Sequence, residues 1–530
     1  MANNHNDIEK RLWNIADHLR ANTALRPNEF YIPVLGLIFL RYADYKFQLA
    51  ESQFEKERSQ SSRRTSIKKE DYQSRGVLYI PNEAKYLTIL SLPEGTNIGR
   101  TINEAMKMIE SQNDNLKGVL PRNYDRLNND TLIAILKLFS EIPMDVDGDM
   151  FGKIYEYFLG NFAMSEGQRG GEFFTPTSIV KLIAEIIEPY HGRVYDPACG
   201  SAGMFVQSAK FVERHHKNPI NEIAIFGQEK VASTIKLCKM NLVVRGLEGD
   251  IRQGNTFYED THRSLHRFDY VMSNPPFNVS GVNKEKVKND QRFSYGIPRA
   301  DNANYLWIQT FLNSLNEKGR AGFVMSNAAA DAGHSELEIR KKIIEDKAVD
   351  VMITVGSNFF YTVRLPCTLW FFDRGKKNIE RENKILFIDA REIYTSIDKV
   401  HNEFSPEQIE FIANIARLYR KEEIETEMGS QTLMQEHFPD GLYQDIPGLC
   451  KAASIEKIKE EGYSLNPGRY VGIKKEEEDG FDFVERITDL NSELESLNQE
   501  AHHLEKTIVN NIEIILKDQK KNAHQETTDK

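Results

Sequence analysis

Over the first 165 residues, apolar positions recur three and four apart. Ile8, Leu12, Ile15 and Leu19 fall on one face of a helix, and Leu35, Phe39 and Tyr42 extend the pattern into the next. The spacing returns at Leu132, Ile133, Ile135, Leu136 and Phe139, and again at Ile154, Tyr155 and Phe158. It predicts an N-terminal helical domain over residues 1–165. From Thr175 the texture changes. Ile179, Leu182, Ile183 and Ile186 predict a helix that stops before Pro189. Short β-rich runs follow at Arg193–Tyr195, Ile223–Phe226, Asp269–Ser273, Gly322–Met325, Asp350–Thr354, Thr368–Phe372 and Ile385–Ile388. Helical patterns separate them at Gly203–Val212, Ser233–Val244, Asn304–Leu315 and Leu337–Glu345. Such alternation predicts an α/β fold over residues 166–400, a doubly wound parallel sheet whose strand C-termini share one edge.

Beyond Arg391 the pattern weakens, and residues 401–480 read as a linker with a helical extension. From Ile487 a heptad takes over. Ile487, Leu494, Ala501 and Ile508 hold one position, and Leu490, Leu497, Leu504 and Asn511 the other. Residues 481–530 are therefore expected to form a coiled-coil helix that needs a mate, followed by a polar tail. The mate is either a partner subunit or the chain itself.

Composition narrows the class. A chain of 530 residues that is 40% hydrophobic has ample core for several domains. Its net charge of −11 argues against a general nucleic-acid coat. Basic residues cluster locally at Arg63, Arg64, Lys68 and Lys69, as a solvated face or a phosphate contact. The four cysteines, Cys199, Cys238, Cys367 and Cys450, are far apart and in no C-x-x-C pair, so neither a disulfide framework nor a cysteine-rich zinc site is expected. No metal is assigned. The polar N-terminus and the absence of a long apolar run point to the cytoplasm.

The candidate chemistry sits at strand ends. Asp196-Pro197-Ala198-Cys199-Gly200-Ser201-Ala202-Gly203 reads as a tight turn of small residues between the first strand and a helix, where backbone can approach a ligand closely. It lacks both G-x-G-x-x-G spacing and a phosphate-binding lysine, so a P-loop is excluded. Asp196 suits a cationic amino-acid ligand. Glu229 closes the second strand, where an acid can bind both ribose hydroxyls of a nucleoside. Asn255, in the third turn, is placed near an adenine edge. The fourth strand runs into Asn274-Pro275-Pro276-Phe277. The prolines lock the backbone, the Asn274 amide oxygen and the Pro275 carbonyl can converge on one –NH₂ group, and Phe277 offers a face for a planar ring, a contact worth about 1–3 kcal/mol per base.

Asn274-Pro275-Pro276-Phe277 resembles the (Asn/Asp/Ser)-Pro-Pro-(Tyr/Phe) motif of S-adenosylmethionine-dependent amino-methyltransferases, and Asp196 to Gly203 resembles their methionine-binding turn. Upstream, Glu172-Phe173-Phe174-Thr175-Pro176-Thr177 is similar to the segment that closes over the cofactor's methionine end. Its place before the first strand matches the gamma class of adenine-N6 DNA methyltransferases. With the helical N-terminus and the C-terminal heptad, the whole chain resembles the modification subunit of type I restriction–modification systems. Cys199 and Ser201 stand where many relatives have other small residues, and the changes are expected to be neutral.

The resemblance implies an S-adenosylmethionine-dependent methyltransferase fold. Asp196 would organise the turn and meet the methionine ammonium, Gly200, Ser201, Ala202 and Gly203 would line the cofactor, and Glu229 would take the ribose. Residues Glu172, Phe173, Phe174, Thr175, Pro176 and Thr177 would form one wall. Asn274, Pro275, Pro276 and Phe277 would act on N6 of an adenine flipped out of duplex DNA. Lys284, Lys286, Lys288, Arg292 and Arg299 could clamp the strand, or form an ordinary solvated loop. The resemblance also implies partners: a specificity subunit, a second methylation subunit (two methylation subunits to one specificity subunit) and a restriction subunit. Two other readings share the signature, a glutamine-amide protein methyltransferase and a cofactor-binding scaffold without activity. The chain's length and the Phe-Phe-Thr-Pro segment weigh against the first, and the intact Asn274 against the second. Cytosine-N4 methylation, whose motif is typically Ser-Pro-Pro, is disfavoured by Asn274.

Overall fold

In a computed structural model of the full chain, the residues described are 27–60, 67–142, 175–299, 301–360, 365–398 and 401–473, with parts of 487–512. The predicted helices at Ile8–Leu19 and Ile154–Phe158, the basic pair Arg63 and Arg64, and Glu172, Phe173 and Phe174 lie outside them. Residues 1–473 form one compact unit and 474–530 another.

The N-terminal region is helical, as its spacing predicts. Helix α1 spans Pro27–Gln60, α2 Ile98–Gln112 and α3 Asn129–Ser140. Asn97 and Asn128 cap α2 and α3, each side-chain oxygen accepting an N–H from the first turn. Ile102, Met106 and Ile109 of α2 pack with Leu132, Ile135, Leu136 and Phe139 of α3 and with Leu35 and Phe39 of α1. Leu237, Met240, Val243 and Val244 join the same core from the next domain, so the helical region is fused to it by apolar packing.

That domain is built on a nine-stranded sheet. Its strands are β1 (Gly192–Asp196), β2 (Ile223–Glu229), β3 (Gly249–Gln253), β4 (Phe268–Ser273), β5 (Leu315–Ser326), β6 (Val349–Val355), β7 (Cys367–Asp373), β8 (Lys384–Ala390) and β11 (Cys450–Ser454); β9 (Thr395–Ser396) and β10 (Asn402–Glu403) form a separate small hairpin. The order is β11-β8-β6-β7-β5-β4-β1-β2-β3. The expectation of an all-parallel sheet needs correction: β7 runs antiparallel to both β5 and β6, and β11 antiparallel to β8. The sheet is therefore mixed.

Side chains alternate between two cores, as the strand pleat requires. Val194, Ile353 and Leu369 face one side, with α4 (Thr177–Ile187), α5 (Gly203–Arg214) and α9 (Pro406–Arg420). Tyr195, Met352 and Trp370 face the other, with α7 (Asn304–Ser314) and α8 (His334–Glu345). Helix α6 (Ala232–Val243) covers the first face between β2 and β3 and also joins the helical region. The sheet is thus doubly wound. The stretch expected as a linker with a helical extension supplies α9, a helix packed in the core, and β11, a sheet strand.

Helix α9 brings charge into the core. Arg417 donates from Nε to Glu188 Oε1 at 2.9 Å, and Arg420 pairs with Asp350 at 2.9 Å. Asp350 is fully buried and also meets Arg381. Burial alone would raise its carboxyl, but Arg420, Arg381, Lys376 and Arg320 hold it down at about 2.

In the second unit, the described positions of 487–512 are helical. Ile487, Leu490, Leu494, Leu497, Leu504 and Ile508 are all about half exposed, between 48% and 57%. Among the described residues no helix is long and apolar enough to cross a membrane.

Candidate active site

The order of the sheet locates the crevice. β2 and β3 lie to one side of β1, while β4 and β5 lie to the other, and all run parallel. The chain reverses its direction of growth between β1 and β4, and a doubly wound sheet opens its crevice at the C-terminal ends of such a pair. Asp196 ends β1 and Ser273 ends β4. They meet across the crevice, Ser273 Oγ donating to Asp196 Oδ1 at 2.7 Å. The same carboxylate oxygen accepts the Ala198 N–H at 2.9 Å. Burial pushes the Asp196 carboxyl up to about 7; these two hydrogen bonds oppose the shift, and the neighbouring Glu229 charge adds to it.

The turn after Asp196 is held against β2. Cys199 N–H donates to Gln228 O at 3.1 Å, and Gly200 N–H to Glu229 Oε2 at 3.2 Å. The second oxygen, Glu229 Oε1, caps Val231 N–H at 2.9 Å. Close approach explains Gly227: a methyl group there would lie 2.9 Å from Cys199 Sγ and 2.7 Å from Ile251 Cδ1. Gly200 has φ +50° and Ala202 φ +76°, so the turn passes twice through the left-handed region before α5 begins at Gly203. Space lies open over it, since a Cβ added at Gly200 or Gly203 would meet nothing within 4 Å. Buried acid, half-buried acid and open small-residue turn together fit a ligand with a cationic head and vicinal hydroxyls, as S-adenosylmethionine has.

The remaining motif residues join the same edge. Asn255 follows β3 beside Glu229, through the Gly254 N–H bond to Glu229 O at 3.0 Å, and its own side chain accepts the Phe257 N–H at 3.1 Å. Asn274 leaves β4 and donates from Nδ2 to Thr175 Oγ1 at 2.8 Å. Pro275 is buried, Pro276 is half-buried, and Phe277 is partly buried where the two cores meet. Pro176 caps α4, and Thr177 is its first residue.

Three features were not anticipated. Ser273 bridges to Asp196. Asn241 of α6 donates to Ser201 O at 2.7 Å and so braces the turn from below. Thr175 touches Asn274. Ser273 carries a signal in sequence, a hydroxyl closing an apolar strand, but the other two join elements that sequence cannot align. One expected surface cation is not one. Arg292 is only 2% exposed and pairs with Asp290 at 2.7 Å and with Thr256 O at 2.8 Å, so it builds the loop and cannot clamp a strand. Lys284 donates to Arg299 O at 2.8 Å, and Lys286 lies over the Tyr258 ring.

Comparison with known proteins fixes the family. The model for N-6 DNA Methylase matches residues 146–479, and that for the HsdM N-terminal domain matches residues 8–139. The Type I restriction enzyme MjaIX methylase subunit of Methanocaldococcus jannaschii is 36% identical over 521 residues, covering 94% of this chain and 89% of the relative. The HindI methylase subunit of Haemophilus influenzae is 36% identical over 432 residues, covering 79% and 92%. In fold, the chain is similar to the crystal structure of the type I restriction-modification system methyltransferase subunit from Streptococcus thermophilus, with a TM-score of 0.68, 23% identity, and coverage of 88% of this chain and 99% of that one. A sheet with its switch point at Asp196 and Asn274, fused to a helical region that has its own family match, belongs to the N-6 DNA methylase family, among the methylase subunits of type I restriction–modification systems.

Proposed function

We propose that this chain transfers a methyl group from S-adenosylmethionine to N6 of an adenine flipped out of duplex DNA, and that it reads its target through a separate specificity subunit. When bound, S-adenosylmethionine supplies an electrophilic methyl on a sulfonium. Asp196 receives the methionine ammonium, and the backbone of Gly200, Ser201, Ala202 and Gly203 lines the amino-acid end. Glu229 takes the ribose hydroxyls; each of its oxygens accepts one N–H and keeps a second lone pair. Asn255 meets the cofactor's adenine edge. Thr175, Pro176 and Thr177 wall the methionine end.

Adenine N6 is a weak nucleophile because its lone pair is delocalised into the ring. The Asn274 carboxamide oxygen and the Pro275 carbonyl accept its two N–H bonds and favour a localised, pyramidal nitrogen. These contacts would present the nitrogen lone pair to the methyl that the cofactor supplies, with the C–S bond breaking and the neutral thioether leaving, so that catalysis rests on positioning; the proton displaced from N6 would pass to solvent, so no histidine is needed as a base. Phe277 stacks on the extruded base and offsets part of the few kcal/mol that flipping costs.

The observation that carries this reading is the bond between Asp196 and Ser273, which ties the cofactor turn to the residue preceding Asn274. The apolar heptad side chains described between 487 and 512, each about half exposed, support assembly with helices of the specificity subunit and a second methylation subunit, two to one, and with a restriction subunit. The test is to co-express the chain with the gene beside it and follow labelled methyl into duplex DNA. Transfer to adenine N6 that Asn274→Ala abolishes supports the reading. Label in a glutamine amide of a translation factor, or cofactor binding without turnover in the wild type, sinks it.

A further inference from the structure

The helical region and the methyltransferase domain do not close completely where they meet. A cleft of about 340 Å³ lies between α1, the loop at 75–78 and helices α5 and α6. That is within the size range of small-molecule sites, which favour domain junctions. Two glycines set its rim. Gly76 has φ +69° and Gly246 φ +72°, and they sit back to back: a Cβ added at Gly246 would lie 2.8 Å from Gly76 O, and one at Gly76 3.2 Å from Gly246 Cα. The close approach brings their sequence neighbours, Arg75 and Arg245, to the same cleft from different domains.

The lining is amphipathic. Val77, Val206 and Val244 give it an apolar wall, while Lys46, Arg75, Lys210 and Arg245 bring positive charge from four segments of the chain. Glu57 takes Arg75 at 2.7 Å, and Glu213 is the one acid among the described residues of the lining. Lys46, Lys210 and Arg245, each half-buried, leave an excess of about two positive charges over it. Lys46 Nζ is held 5.4 Å from the centre of the Tyr42 ring. Like charges that converge in a partly desolvated cleft repel, and the protein walls focus the resulting field. A phosphomonoester, which carries about −1.5 to −2 at neutral pH, matches that excess better than a carboxylate does.

We propose that the cleft between the helical region and helices α5 and α6 binds a phosphate group, free or carried on a small molecule, among Lys46, Lys210 and Arg245. A planar guanidinium with two mobile ammonium groups suits phosphate oxygens, and the valines offer a surface to an organic body attached to the phosphate. The cleft shares no residue with the crevice at Asp196 and Asn274. It is therefore a second site, and it stands independently of the reaction proposed for the first.

The experiment titrates the full chain calorimetrically with uridine 5′-monophosphate, inorganic phosphate and acetate at matched ionic strength, first without S-adenosylhomocysteine and then with it saturating. Wild type should bind one phosphate ligand per chain in both conditions and should not bind acetate. Tighter binding of the nucleotide than of inorganic phosphate identifies a phosphate carried on an organic body, and equal affinity identifies free phosphate. Lys46→Gln and Lys210→Gln, on separate helices, should each weaken the phosphate ligands about five- to tenfold, the size expected for one lost charged hydrogen bond near the surface. Arg245 is left intact because it donates to Asn241 O at 3.2 Å, and Asn241 braces the cofactor turn. Urea unfolding midpoints close to wild type separate a lost site from a lost fold, and either variant alone carries the test should the other fail to fold. The proposal is overturned if neither phosphate ligand gives saturable heat at millimolar concentration, if acetate binds equally well, or if the variants bind like wild type. Displacement of the nucleotide by S-adenosylhomocysteine overturns it too, since that puts the nucleotide in the crevice at Asp196.

Discussion

Asp196→Asn separates the two tasks of a buried acid. The asparagine keeps an oxygen to accept from Ser273 Oγ and Ala198 N–H but cannot ionise. In the wild type, burial lifts the carboxyl from 3.8 to about 7 in the absence of a cation. Below pH 3.8 it is protonated in both folded and unfolded chains, and the fold bears no penalty. As pH rises toward 7 the unfolded chain ionises first, and stability falls by about 1.4 kcal/mol per pH unit. The full loss is about 4 kcal/mol at the upper end and is constant above it. Asp196→Asn removes that slope, so the variant should match wild type near pH 4 and be more stable at pH 8. Cofactor binding should show the opposite. An ammonium beside the carboxylate favours the charged form, so wild-type affinity should climb between pH 5.5 and 7 while the variant binds weakly with no such climb. Urea unfolding of the free chain at pH 4.5, 6 and 8, with calorimetric titration of S-adenosylmethionine over the same range, measures both. A variant less stable than wild type at pH 8, or parallel pH slopes for the two proteins, would refute the reasoning.

Other perturbations follow from the same contacts. Arg420→Met leaves Asp350 buried with part of its compensation gone and should cost about 3–5 kcal/mol in urea unfolding. Because the Asp350 carboxyl is held at about 2, its stabilisation is present above the ordinary carboxylate range and lost as pH falls through about 2, so Arg420→Met should also move acid unfolding to higher pH. Gly227→Ala drives a methyl into Cys199 and Ile251 and should cost about 1–3 kcal/mol, with weaker cofactor binding in calorimetry. Asn241→Ala removes the brace on Ser201 and should raise the cofactor dissociation constant about fivefold with little change in kcat.

The strands that carry the site were legible because a polar residue interrupts each apolar run at its C-terminal end: Asp196 after Val194-Tyr195, Ser273-Asn274 after Val271-Met272. In a buried sheet, such an interruption is tolerated only where the strand emerges or the group is hydrogen-bonded. Strand β3, Gly-Asp-Ile-Arg-Gln, has one apolar residue because it lies at the sheet edge, and it was missed for that reason. Helix α9 falls in the stretch read only in outline as a linker with a helical extension, although Ser405-Pro406 and Gln408 form a capping box ahead of it. Its buried face holds Glu410, Arg417 and Arg420, so its pattern reads as half polar. The two arginines are buried because their counter-charges arrive from elsewhere, Glu185 and Glu188 from α4 and its end and Asp350 from β6, while Glu410 accepts the Met428 and Ser430 N–H groups. Thr175 and Asn274, 99 residues apart, stay hidden in the same way. A motif names the residues that must face a ligand, since their chemistry is fixed by something outside the chain. The residues that brace them answer only to the fold, and here they come from the segment leading into helix α4 and from helix α6, whose first visible task is to cover the sheet.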